Sequence, residues 1–155
     1  MTGKTAILIV VLVFSLAGLE IEGVNGDLPG ILGVWNNEDG RAKIKIFDCD
    51  DSFCGRIVWL KEPDYPPGDK SGLGGKPRLD LENPDPASRD RRLMGLKIMD
   101  GFVQVDKNAW GNGRIYDPVS GRTYRAKMTL ESQHRLILRG YVGIPLFGKS
   151  TVWTR

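Results

Sequence analysis

Arg122-Thr-Tyr-Arg-Ala-Lys-Met-Thr-Leu130, the connector Glu131-Ser-Gln133, and the run Arg135-Leu-Ile-Leu-Arg-Gly-Tyr141 decide how this chain folds. In the first run Tyr124, Ala126, Met128 and Leu130 share one parity and Thr123, Arg125, Lys127 and Thr129 the other. Side chains of period two belong to a strand with one face buried and one in water. The connector is too short for a crossover, so the two runs must lie antiparallel.

Working outward, the same grammar recurs. Arg41 to Phe47 places Ile44 and Ile46 on one face and Lys43 and Lys45 on the other, and Phe53 to Trp59 reads as its hairpin partner. Gly33–Asn36, Leu93–Val105, Gly113–Tyr116 and Lys149–Trp153 supply further strands. The turn Asp117-Pro-Val-Ser-Gly121 has Pro early and Gly late, as a hairpin connection requires. About eight short strands at even spacing predict an all-β, antiparallel, up-and-down barrel, a closure that removes exposed edges. Glu62–Arg78 is rich in Pro, Gly and Lys and reads as a mobile loop. Asp85 followed by Pro86 reads as the start of one short helix.

The chain has 155 residues, with 22 Lys+Arg against 19 Asp+Glu, 2 Cys and 1 His. That length suits one domain, since domains run to roughly 100–200 residues. One His and two Cys are too few for a tetrahedral His/Cys zinc site or an iron–sulfur cluster. No metal and no cofactor are expected.

Residues 1–26 read as a secretory signal peptide. Lys4 precedes the apolar run Ala6–Leu19, and the small residues Ser15 and Ala17 offer one cleavage point, with Gly26 the far limit of the window. The run is shorter than the ~20 residues a spanning helix needs, which argues against a permanent membrane anchor. The expected product is one exported domain over residues 27–155, periplasmic or secreted and monomeric. Without Lys4, Glu20 and Glu22 the balance is 21 positive against 17 negative charges. This is too mild for a nucleic-acid binder, and no nucleic-acid partner is expected. In an oxidising compartment Cys49 and Cys54, facing each other across a short hairpin, are expected to pair, stabilising the fold by about 2 kcal/mol.

Several chemical motifs fail on inspection. Gly75-Lys76 lacks the earlier glycine and the following Ser or Thr of a P-loop. Asp48, Asp50 and Asp51 lack the Gly and Glu of a calcium loop and read as turn formers. His134 falls at a hairpin tip, where no triad can be built around it.

Gly33-Val-Trp35, Cys54-Gly-Arg-Ile-Val-Trp59, Asp80 with Asn83-Pro84, and Arg89 through Gly95-Leu96 resemble, as a set, the domain-of-unknown-function family 2147 of small exported bacterial proteins. Gly113-Arg-Ile-Tyr-Asp-Pro118, Ser120-Gly-Arg-Thr-Tyr124, Arg139-Gly-Tyr-Val-Gly143 and Trp153-Thr-Arg155 extend the resemblance over residues 31–155. It implies a lipocalin-like, calycin-type barrel and leaves the activity open. Gly33-x-Trp35 also resembles the lipocalin first-strand motif, in which the Trp stacks under a late-strand Arg. Arg139 or Arg155 is expected in that structural role, a cation–π contact of about 0.5–2 kcal/mol.

The polar candidates are Asp80, Asn83, Arg89, Arg91 and Arg92, gathered in one loop. On one reading these arginines clamp an anionic head group through forked hydrogen bonds. On the other, Asp80 and Asn83 cap the segment and the arginines pair with nearby acids. Tyr116, Tyr124 and Tyr141 are expected pocket walls, and Trp59 and Trp110 either fill or line the barrel. No catalytic constellation is evident. The expected function is therefore non-enzymatic binding of a small, partly apolar ligand at the barrel mouth, with Glu62–Arg92 as lid. The alternative is a filled barrel that docks on an envelope or host protein.

Overall fold

The computed structural model describes residues 30–155; the expected signal peptide lies outside the described residues. Eight strands follow in chain order: β1 (Gly33–Asn36), β2 (Ala42–Cys49), β3 (Ser52–Leu60), β4 (Lys97–Asp106), β5 (Ala109–Asp117), β6 (Arg122–Ser132), β7 (Arg135–Tyr141) and β8 (Lys149–Thr154). Each pairs antiparallel with the next, and β8 returns to β1 to close the barrel. The closing seam is thin, with Asn36 opposite Thr154 as its one register pair. Two side chains reinforce it: Asn36 Nδ2 donates to Thr154 O at 3.1 Å, and Glu38 Oε1 accepts from Val152 N at 3.2 Å.

Alternation directs the core. Ile44 and Ile46 on β2, Ala126 and Met128 on β6, and Leu136 and Leu138 on β7 are buried. The β6–β7 turn consists of Gln133 and His134, since Ser132 pairs with Arg135. β5 begins earlier than its sequence suggests, at Ala109, and Trp110 is almost wholly buried. The alternation is interrupted there because Asn112 takes a φ of 60° and the register shifts between Trp110 and Gly113. At Gly113 a Cβ would lie 2.4 Å from the Phe102 ring, so a bare backbone is what lets that ring fill the core. Leu93–Leu96 is not strand: Gly95 has a φ of 86°, and β4 starts only at Lys97.

The two ends differ. At one end Ile31, Trp35, Ile46, Phe102, Trp110, Met128 and Leu136 pack into a solid core. Arg155 seals it, its guanidinium 4.4 Å from the centre of the Trp35 ring. The same group donates to Leu32 O at 2.8 Å, Gly30 O at 2.9 Å and Gln133 O. Trp35 Nε1 donates to Ile31 O at 2.8 Å. Arg139, the other expected partner of Trp35, instead binds the β7–β8 connection. Cys49 and Cys54 form a disulfide across the β2–β3 hairpin, whose turn residue Asp50 has a φ of 58°.

The long β3–β4 segment corrects one expectation. Residues 62–78 form a loop, as expected, with pairing of its own: Asp64 bridges to Pro77, Tyr65 N donates to Lys76 O at 2.9 Å, and Arg78 N to Pro63 O at 2.8 Å. There is, however, no α-helix after Asp85. Pro86–Ser88 is a single 3₁₀ turn, capped where Asp85 accepts from Ala87 N. The Leu79–Arg92 bridge diverts the chain before a second turn can form.

Candidate ligand cavity at the open end of the barrel

At the end opposite the Trp35–Arg155 seal, the connections β1–β2, β3–β4 and β5–β6 and the start of β8 surround a cavity of about 720 Å³. Its walls are the inward side chains Ile44, Ile57, Ile98, Ile115, Leu138 and Trp153. Its rim is charged with both signs, carrying Arg41, Arg78 and Lys149 beside Glu38, Asp39, Glu62 and Asp117. Arg41 and Arg78 both reach Glu62, at 3.9 and 2.9 Å, and Arg78 also lies over the Tyr65 ring. These pairs are exposed, so they contribute little to stability and can be remade around a guest. Lys149 forms no ion pair among the described residues.

One buried polar cluster stands behind this rim. Asp80 is fully buried. Its Oδ1 accepts from Tyr116 Oη at 2.6 Å, and its Oδ2 accepts from Asn83 Nδ2 at 2.8 Å and from an Arg91 guanidinium nitrogen at 3.0 Å. Asn83 Nδ2 also donates to Tyr116 Oη at 3.2 Å. A buried carboxylate is tolerated when charge and hydrogen bonds surround it in this way. Burial, followed by the hydrogen bond to Asp80 and its charge, pushes the Tyr116 phenol up to about 12. The cluster ties the β3–β4 segment to β5, beside the cavity wall that Tyr116 helps to form.

The family model described as uncharacterized protein conserved in bacteria, DUF2147, matches residues 33–155. The chain belongs to the DUF2147 family. Among solved structures, the DUF2147 chain is similar to protein HP1028 of Helicobacter pylori, described as belonging to the lipocalin family. The two are 21% identical, with a TM-score of 0.66 over 81% of this chain and 82% of the other. No curated protein matches the chain. The DUF2147 fold is thus a closed, eight-stranded, lipocalin-like barrel.

The expected site residues are distributed unevenly in this DUF2147 barrel. Of the eight, Tyr116 lines the cavity. Asp80 and Asn83 are the buried members of the cluster and Arg91 reaches Asp80 from the surface, while Arg89 Nε donates to Asn83 O at 2.7 Å and holds the loop's shape. The Arg92 side chain is exposed. None of the three arginines lines the cavity: the loop turns Arg89 and Arg91 toward its own backbone and Asp80, and Arg92 toward solvent. Tyr124 is half-buried and contributes no cavity wall. Tyr141 sits opposite Arg125, on the outward parity of β6, and lines a groove on the barrel's outer wall with Arg114 and Arg125. Trp59 is exposed beneath Lys43, and His134 is exposed in its turn.

Sequence reading missed the rim. Arg41 and Arg78 come from two separate connections and Lys149 from the start of β8, and nothing local marks them as neighbours. The Glu62–Arg92 segment meets the cavity at Glu62 and Arg78, so it forms one side of the mouth rather than a cover. Cys49, Cys54 and Asp100 lie close enough together to suggest a metal set, but the sulfurs are joined to each other. Asp100 itself is held by Lys97 at 2.9 Å and Arg114 at 3.5 Å, which keep its carboxyl below the usual carboxylate range.

Proposed function

We propose that this protein is a non-enzymatic, exported carrier that holds one small amphipathic molecule in the open end of its barrel. The observation that carries this reading is the asymmetry of the barrel: one end is solid and sealed, the other holds about 720 Å³ under a charged rim. Ligand pockets usually measure roughly 300–1,000 Å³ and combine apolar walls with a few polar groups. The apolar wall from Ile44 to Trp153 takes the ligand's body, while Arg41, Arg78 and Lys149 face its polar end. Exchange of the Glu62 partnership for an anionic group would cost little, since the resident pairs are solvent-screened. The disulfide supports an oxidising compartment, secreted or periplasmic, with the barrel acting as a monomer.

The test fills the cavity. Ala42 lines it and is half-buried, so Ala42→Trp projects an indole into the space without opening the seal. The protein is titrated with an anionic naphthalene sulfonate dye and with a fatty acid bearing a fluorophore. Saturable, one-to-one binding of either probe, lost by at least tenfold in Ala42→Trp while circular dichroism is unchanged, is the expected outcome. Binding of equal strength in the two proteins would place the ligand elsewhere.

A further inference from the structure

The β7–β8 connection holds the densest run of exposed apolar side chains among the described residues. Val142, Ile144, Leu146 and Phe147 are 73%, 54%, 74% and 79% exposed, and Val119, on the β5–β6 turn at the same end of the barrel, is 82% exposed. Nothing among the described residues covers them. The described chain begins at the far end, where Gly30 is held by Arg155. An exposed apolar segment of this size marks a contact with something other than water.

The segment is also built to keep those side chains outward. Pro145–Phe147 is a 3₁₀ turn, with Phe147 N donating to Ile144 O and Gly148 N to Pro145 O. Arg139 fixes it from below: Nε donates to Pro145 O at 2.7 Å, and its two terminal nitrogens to Leu146 O at 3.1 Å and Ser150 Oγ at 2.9 Å. Irregular backbone enters an apolar phase only when its carbonyls already have partners. Of the carbonyls from Val142 to Phe147, those of Ile144, Pro145 and Leu146, at the tip, have them before any contact is made.

Behind the loop the outer wall is basic. Arg114 lies directly opposite Arg125, and Lys127 directly opposite Arg139. Like charges facing each other across strands are unfavourable unless a counter-charge is supplied. Arg114 has Asp100, but Arg125 and Lys127 form no ion pair among the described residues. Arg125 pairs with Tyr141, the residue before the apolar segment, and Lys127 lies about 7 Å farther down the strand. Lys149 follows the loop on β8. Apolar side chains at the tip, a tyrosine at their base and cations just below reproduce the layering of a lipid interface.

We infer that the open end of the barrel docks on an anionic lipid surface. Val142–Phe147 enters the acyl boundary, and Arg125 and Lys127 meet the head groups. This docking is peripheral and reversible, and it stands whether or not the cavity holds a ligand.

Flotation of the processed chain, its N-terminus fixed by mass, with two kinds of vesicle tests the inference. One kind is phosphatidylcholine alone; the other is phosphatidylcholine and phosphatidylglycerol in equal parts. The protein is expected to float with the mixed vesicles, and less with the neutral ones. The affinity should fall about tenfold or more in Leu146→Ser/Phe147→Ser and in Arg125→Glu/Lys127→Glu. A Phe147→Trp variant retains an apolar side chain, and its added fluorescence should be quenched by lipids brominated in the acyl chain. It supplies the answer even if a double variant folds poorly. Absence of flotation, equal flotation of the Leu146→Ser/Phe147→Ser variant, or an unquenched indole in Phe147→Trp would overturn the proposal. So would self-association that vanishes in Leu146→Ser/Phe147→Ser without any vesicle binding, which would assign the loop to a second copy of the chain.

Discussion

Asp80 shows how one side chain can hold two remote parts of the chain together. It sits 36 residues before Tyr116 in sequence, yet Tyr116, Asn83 and Arg91 all donate to it. Removing the Tyr116 hydroxyl leaves a buried carboxylate oxygen short of its closest donor. Tyr116→Phe should therefore lower stability by about 1–3 kcal/mol, read from the urea midpoint at neutral pH. The alkaline behaviour has a definite sign. The phenol is raised in the folded state to about 12 from an ordinary value of 10.0, so folding favours its protonated form. That stabilisation is complete below pH 10 and is lost as the pH climbs toward 12. The stability difference between wild type and Tyr116→Phe should shrink across that window and be constant below it. A difference that stays the same from pH 9 to 12 would mean that the phenol does not report on Asp80.

At the level of elements, the β3–β4 segment is fastened to the barrel at a second point. Gly121 has a φ of 66°, and a Cβ there would lie 1.9 Å from the Glu82 carbonyl oxygen. Gly143 has a similar φ of 72° with open space around it. The pair separates backbone strain from close approach. Gly143→Ala should cost about 1 kcal/mol from strain alone, and Gly121→Ala clearly more, since Glu82 must also move. Thermal unfolding of the two variants decides between them; equal losses would show that the segment yields freely at Glu82. The strands were legible in the sequence because half-buried alternation is a local signal, clearest at Tyr124–Leu130. Trp110 and the start of β5 were not, because Asn112 breaks the period. The helix expected after Asp85 has good local grammar, yet the Asp80–Arg91 and Leu79–Arg92 pairings override it. The cavity rim was hidden for a different reason: Arg41, Arg78 and Lys149 become neighbours only when eight strands have closed in register. The wall residue Ile44 could be read as inward, but not whether it faced a filled or an empty half of the barrel.

Across the whole molecule, closure rests on a narrow seam. β5, β6 and β7 share long ladders, whereas β8 meets β1 at Asn36–Thr154 and through the side chains of Asn36 and Glu38. Hydrogen exchange should be slowest in β6 and fastest at the β1–β8 boundary, where the least surface must be exposed to open the ladder. Arg155→Ala removes three carbonyl contacts and the stack on Trp35, so it should speed exchange in β1 and β8 well before it affects β6. Uniform acceleration along all eight strands would show instead that the barrel opens as a single unit.

The seal has one more consequence. Arg155 grips Leu32 and Gly30 from 123 and 125 positions away, and β1 gains its second neighbour only from β8. Any process that delivers the chain front end first, whether a ribosome or a narrow pore, must keep Trp35 waiting until residues 149–155 have emerged. Contacts of such long range form slowly. A chain on its way through a membrane would therefore travel as an open ribbon, and would become a vessel only after its last strand had arrived.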